Sequence, residues 1–297
     1  MNKGIWYAVG AYVSWGLLPI FWKALHQVST LEILAHRIVW ALLIAVALVT
    51  YRREWRGLSV AVRNRRTLLT YTASALLLTT NWFVYIWAVN AGHIVETSLG
   101  YFINPLVNVL LGVLFLRERL RRAQGLAVAV ASGGVLYLTA LHGSFPWIAL
   151  TLALSFGLYG LLRKMAVLSS LEGFTLETLI LVPPSLAYLI YREWAHAGAF
   201  GHLGAATDAL LICAGLVTAV PLLLFAAGAR RIQLTTLGIL QYIAPTLQFA
   251  IGVAIYGEPL SPQRLIGFAL IWMALAIYSL DGVLQGRARL LARAAPQ

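Results

Sequence analysis

The stretch "SLGYFINPLVNVLLGVLFLRERL", residues 98–120, is apolar enough to cross a bilayer and yet carries Tyr101, Asn104, Pro105 and Asn108. Polar groups in hydrocarbon are costly unless something satisfies them, so these side chains need a partner other than lipid. On a helix, Thr97, Tyr101, Asn104 and Asn108 fall at i, i+4, i+7 and i+11, which is one face and therefore a polar stripe. The pattern returns at residues 237–260, "LGILQYIAPTLQFAIGVAIYGEPL". There Pro245, Gly252, Glu258 and Leu260 repeat the spacing of Pro105, Gly112, Glu118 and Leu120. Tyr101 aligns with Gln241 and Asn108 with Gln248, so the second segment has a matching stripe that begins near Thr235.

Of the 297 residues, 61 % are hydrophobic and 11 % charged, with a mean hydropathy of +0.82, far from the balance of a soluble domain. Apolar stretches of about 20 residues, the length that crosses a bilayer, recur along the whole chain. They predict ten spans, at 4–25, 31–51, 67–91, 94–116, 123–141, 146–166, 173–191, 208–228, 233–256 and 262–284. The connections at 52–66 and 192–207 have room for a short surface helix and little more. The amino-terminal run is too long and too aromatic for a cleaved signal peptide and is read as the first span. Cys213, the single cysteine, lies inside a span, where a small buried apolar residue is expected.

The net charge of +12 follows membrane topology rather than a nucleic-acid surface. With the amino terminus inside, all but four of the 22 basic residues fall in inner segments, the exceptions being Lys23, Arg37, Arg192 and Arg264. The prediction is a multi-pass protein of a bacterial inner membrane with both termini cytoplasmic.

The two polar stripes belong to a larger repeat. "SWG" at 14–16 matches "SFG" at 155–157, with Lys23 and Lys164 following at equal distance. "TLE" at 30–32 matches 175–177, and "YRREW" at 51–55 matches "YREW" at 191–194. The chain therefore reads as two five-helix units, residues 1–143 and 144–297. Because five is odd, the second enters the membrane from the opposite side, and the expected fold is an all-α integral membrane bundle of ten transmembrane helices in two inverted five-helix repeats. Halves of opposite orientation can exchange conformations around a central site, the mechanical basis of alternating access.

The stripes of Thr97, Tyr101, Asn104 and Asn108 and of Gln241 and Gln248 are expected to face each other across a cavity. Asn81 and Tyr85 in the third span, with Trp82 or Asn90, and the pairs Ser14/Trp15 and Ser155/Tyr159 are further candidates for substrate contact. Amides and aromatic faces without a midplane charge suit an uncharged or zwitterionic organic molecule. Pro105 and Pro245 each remove a helix hydrogen bond and bend their helix. Lys23, Glu32, His36, Arg37, His93 and Glu96 fall in the outer third and are read as an outer gate, with Lys164, Glu177 and Arg231 as its inner counterpart. Glu96 or His93 is a candidate carrier of a coupling proton. Glu118 and Glu258 are assigned to architecture, holding a neighbouring helix terminus.

On "SWGLLPIFWKAL" (14–25), "EILAHRIVW" (32–40), the run 81–120 and "LGILQYIAPTLQFAIGVAIYGEPL" (237–260), the chain resembles the drug/metabolite transporter superfamily, the EamA-type carriers of the RarD branch. The resemblance covers nearly the whole chain. It implies ten helices and a central substrate cavity lined by spans one, three, four, six, eight and nine. It also implies movement of metabolites, amino acids or drug-like compounds, often outward; export or exchange, as a monomer or homodimer and without a cofactor, is the expectation. Asn104 becomes Ala244 in the second half, where the motif is weaker. The rival classes are an intramembrane enzyme, which needs a convergent nucleophile, base or metal cluster, and a channel, which needs a continuous polar path. No GxxxxGK[ST] motif for ATP appears in the sequence.

Overall fold

The computed structural model describes residues 3–91, 94–142, 145–255 and 262–294. Six helices come from the first half: α1 (Lys3–Ala24), α2 (Thr30–Arg52), α3 (Trp55–Arg63), α4 (Arg65–Asn90), α5 (Ile94–Leu116) and α6 (Arg122–His142). The second half contributes α7 (Trp147–Met165), α8 (Ser170–Trp194), α9 (Ala205–Ala229), α10 (Leu234–Gln241), α11 (Ile243–Ala254) and α12 (Pro262–Ala294). The fold is an all-α membrane bundle of ten crossings in two inverted five-helix repeats, α10 and α11 forming one crossing and α3 lying outside the count. Among the described residues nine helical segments are long and apolar enough to span a bilayer. The tenth crossing, α4, has the length at 26 residues but includes Thr79, Thr80 and Asn81 in its sequence.

Burial in the bundle is inverted relative to a soluble protein. Ala8, Ala11, Ala41, Ala45, Ala127, Ala131 and Ala153 are fully buried, while Leu43, Leu76, Leu110, Leu114 and Leu136 point outward. Lipid is as apolar as leucine, so helices associate through small residues that allow close approach, and the large side chains are left to the hydrocarbon. Cys213 is exposed on α9, against the expectation that it is buried.

The packing is closed under exchange of the halves. α1 lies against α9 and α11, and its counterpart α7 lies against α4 and α5. α2 packs on α9 as α8 packs on α4, and α2/α8, α6/α12 and α5/α10 meet their own counterparts. The repeated tripeptides explain one such contact pair. A Cβ on Gly16 would stand 2.7 Å from Leu247 Cβ, and one on Gly157 would stand 2.6 Å from Val107 Cγ1. Leu247 and Val107 occupy equivalent positions of the two stripe helices, so the glycine of "SWG" and of "SFG" is the notch that each one enters.

α3 is the surface helix expected in the first long connection, with Leu58 and Ala61 buried. The second long connection is instead a series of turns in which Gly201 and Gly204 take left-handed φ angles of 80° and 100°. Pro245 has no N–H for the Gln241 carbonyl, and the crossing is interrupted at Tyr242 between α10 and α11. Pro105 bears the same relation to Tyr101, yet α5 stays continuous.

Glu118 fulfils its architectural reading. Its carboxylate accepts from the Leu234 N–H at 2.7 Å, the Thr235 N–H at 2.9 Å and the Thr235 hydroxyl at 2.7 Å, so it caps α10. A Cβ on Gly112 would stand 2.7 Å from a Glu118 carboxylate oxygen, so the repeated glycine makes room for the repeated acid. Glu258 and His93 lie outside the described residues.

Candidate functional site

A cavity of about 210 Å³ lies where the halves meet. The first half lines it with Trp15, Pro19 and Trp22 of α1, Arg37 of α2, Asn81, Trp82 and Tyr85 of α4, and Tyr101 and Asn104 of α5. The second half adds Leu152 and Phe156 of α7, Leu222 of α9, and Gln241, Ala244 and Gln248 around the break between α10 and α11. The lining uses the carboxyl-terminal parts of α1 and α4 and the amino-terminal parts of α2, α5 and α7. The cavity therefore sits toward the end of the bundle opposite the six arginines of residues 52–66. Tyr101 and Gln241, whose carbonyls the two prolines deprive of a helix donor, both reach the wall.

The amides tie helices together at the wall they form. Asn81 Nδ2 donates to the Leu152 carbonyl at 2.8 Å and to Ser155 Oγ at 3.1 Å. Asn104 Nδ2 donates to the Ala153 carbonyl at 2.8 Å, and Gln248 Nε2 to the Trp15 carbonyl at 3.2 Å. Asn108, fully buried behind the wall, donates to Asn104 Oδ1 at 3.1 Å and to Gln241 Oε1 at 2.9 Å. Of the residues expected at the substrate, Trp15, Asn81, Tyr85, Tyr101, Asn104, Gln241 and Gln248 are brought to one cavity. Ser14 turns to its own helix, donating to the Gly10 carbonyl at 2.7 Å. Thr97, Asn108, Ser155 and Tyr159 are buried behind the lining. The side chain of Asn90 lies outside the described residues.

Arg37 is the group whose place was not legible. Depth alone put it among the outer gate residues, whereas its side chain is in the cavity wall. Nε donates to Thr218 Oγ1 at 2.9 Å, and the guanidinium carbon stands 4.1 Å from the Trp82 ring centre and 5.1 Å from that of Trp22. The expectation of an uncharged or zwitterionic solute supposes a site without a charge at the midplane; Arg37 brings a guanidinium to the cavity wall from the amino-terminal part of α2. Trp22, Arg37 and Trp82 stand on three different helices, and no single-helix periodicity connects them.

Below the cavity, toward the arginine-rich face, the rings close in. Trp15 meets Phe156 and Phe225 at 5.5 and 5.6 Å between ring centres, and Tyr159 stacks on Phe225 at 5.8 Å. Beyond them Arg163 and Glu177 are 2 % and 1 % exposed with 3.6 Å between charged atoms. Glu177 also accepts from the Ser74 hydroxyl, and Arg163 donates to the Ser170 carbonyl at 2.9 Å and faces the Tyr71 ring at 5.7 Å. Glu177 Oε2, Arg163 Nε and the hydroxyls of Tyr71 and Tyr159 have no hydrogen-bond partner among the described residues. A basic residue in a last helical turn is ordinary, so position in the sequence does not single out Arg163. Lys164 donates to the carbonyls of Ala229 and Ile232 and stands 3.9 Å from Glu118. Arg231 is exposed and lies 5.2 Å from the Tyr7 ring centre.

At the opposite face Glu32 is buried and pinned to the turns after α8, with Arg192 Nη2 at 3.3 Å and the Ala199 N–H donating to it. His36 packs on Phe200 at 5.3 Å between ring centres, and Lys23 is exposed. In the same turns His202 Nε2 meets Glu193 Oε1 at 2.9 Å, and that carboxylate raises the imidazole pKa above its ordinary value. His93 and the side chain of Glu96 lie outside the described residues.

Comparison with known proteins gives concordant matches. The model of the EamA-like transporter family matches twice, at residues 2–140 and 145–280. An "Uncharacterized transporter" of Vibrio cholerae is 45 % identical over 98 % of this chain and 97 % of its own length. "Protein RarD" of Escherichia coli is 43 % identical with 95 % of each covered. "Chloramphenicol-sensitive protein RarD" of Pseudomonas aeruginosa is 34 % identical over 94 % of each. A solved chain titled "Crystal structure of protein" shares the fold with a TM-score of 0.70, covering 93 % of this chain and 96 % of that one at 20 % identity.

Proposed function

The chain belongs to the EamA-like transporter family, and from that premise we propose that it is a secondary carrier moving a small organic metabolite or drug-like solute by alternating access. Its setting is the bacterial inner membrane with both termini cytoplasmic, residues 1–143 and 144–297 are the exchanging units, and the net direction is export or exchange. The observation that carries the reading is a cavity walled by both halves, with packed rings and a buried ion pair on its arginine-rich side. Toward the arginine-rich face, stacked rings, the Asn108–Gln241 bridge and the buried Arg163–Glu177 pair stand between cavity and water. Polar atoms left without partners in that seal would find partners if water or a rearranged neighbour reached them, which suits a barrier that opens. By pseudo-symmetry the alternative state closes around Trp22, Lys23 and Glu32 instead. Proton coupling through Glu96 or His93 would add a driving force.

The test is a thermal-shift screen of purified protein against amino acids, nucleobases, vitamins and amphenicols, followed by counterflow of each hit in proteoliposomes. A carrier shows uptake stimulated by solute on the far side. Uptake that is indifferent to trans solute overturns the carrier reading. Uptake with and without a pH gradient, in the wild type and in Glu96→Gln, decides the proton's part: a gradient dependence unchanged in the variant removes Glu96.

A further inference from the structure

The cavity described above holds one full charge among its described lining residues, Arg37, with aromatic rings and uncharged amides around it. A guanidinium cannot shed its proton in a protein, so it keeps its charge at this depth. Ionisable groups within a membrane span are rare and mark substrate or ion paths. The surroundings of Arg37 fix it in place. Thr218, which donates its own proton to the Ala214 carbonyl at 2.7 Å, accepts from Nε at 2.9 Å. Trp82 and Trp22 offer ring faces at 4.1 and 5.1 Å, a placement that favours a cation without neutralising it. The ion pairs among the described residues engage Arg121, Arg163, Lys164, Arg192 and His202, so each described carboxylate in such a pair is spoken for elsewhere. With Nε used, the two terminal nitrogens of a planar fork remain, which is the geometry that receives a carboxylate bidentately.

Resting on the carrier reading, we propose that the transported solute is a small organic anion whose carboxylate, or an equivalent oxyanion, docks on the Arg37 guanidinium while an aromatic or apolar body lies against Trp15, Tyr85 and Phe156. The amides of Asn81 and Gln241 supply orientation rather than charge. The cavity of about 210 Å³ leaves room for a small solute against Arg37. No acidic side chain among the described lining residues offers a partner to a cationic end, so an amine of the same shape is the disfavoured member of a matched series.

The experiment uses the full chain in detergent and a matched trio of probes: 3-phenylpropionate, 3-phenylpropionamide and 3-phenylpropylamine, with indole-3-acetate and phenyl phosphate as further anions. The expected result is a saturable thermal stabilisation by at least one anion, with the amide and the amine without effect at the same concentration. Arg37→Gln, eluting and melting as a folded protein, should bind that anion about tenfold more weakly or worse, the loss of a charge-assisted pair. Arg37→Lys should recover part of it and serves as the folded comparison if Arg37→Gln does not fold. The proposal is overturned if anion and amide stabilise equally, if no anion of the set acts, or if Arg37→Gln binds the anion as the wild type does. Counterflow separates this failure from that of the carrier reading: a neutral solute exchanging at wild-type rate through Arg37→Gln would keep the carrier and sink the anion.

Discussion

Arg163 and Glu177 put two charges where water does not reach, and such a pair is strained as soon as one member is removed. Glu177→Gln or Arg163→Met should each destabilise the protein by about 3–5 kcal/mol, because the surviving charge is left buried without compensation. Replacing both by apolar residues of similar volume should recover most of that loss, read as the midpoint of thermal unfolding in detergent. His202 makes a prediction of the opposite kind, at an exposed position in the turns between α8 and α9. Its pKa is raised by the hydrogen bond and charge of Glu193. The contact is therefore complete below the ordinary imidazole value near 6.5 and is lost as pH rises through the raised one. A histidine NMR titration should give a midpoint above that ordinary value, returning to it in Glu193→Gln. Residue by residue, the cavity was legible where a residue type and a helical period coincided, as for Tyr101, Asn104, Gln241 and Gln248. It was illegible for Arg37 because which turn of α2 faces the centre depends on how α2 packs on α8 and α9.

The stripe helices and their tripeptide partners show what the repeat encodes at the level of elements. Gly16→Leu and Gly157→Leu should each cost about 1–3 kcal/mol through overpacking against Leu247 and Val107, which occupy the notches. Gly125→Ala on α6, where a Cβ would meet nothing within 4 Å, is the control and should be neutral or stabilising by up to about 1 kcal/mol. Glu118→Ala should cost about 1–3 kcal/mol, since it removes the cap on α10 and the partner of Lys164. The P-x6-G-x5-E-x-L pattern could be read as paired in sequence, but its purpose needed three dimensions: the glycine and the acid serve one carboxylate at the start of a helix from the other half. Proline identity alone did not decide where a crossing breaks, since Pro245 accompanies the gap at Tyr242 and Pro105 leaves α5 whole.

Across the whole molecule, the odd number of crossings per half sets the orientation, and the packing of each helix on its neighbours is reproduced by exchanging the halves. That much was written in the sequence, because hydropathy counts crossings and the repeat assigns equivalents. The asymmetry was not. The cavity lies toward the face opposite the arginine-rich one, and a repeat that makes the halves equivalent does not say toward which face the side chains leave space. The account stands on the cavity being reachable from either face in turn. Ala244, small and in the cavity wall, is suited to report this in a Cys213→Ser background. Labelling of Ala244→Cys by a membrane-impermeant thiol reagent should proceed from both faces of oriented vesicles, and a solute gradient that raises labelling from one face should lower it from the other. Labelling from a single face under every gradient would contradict the account.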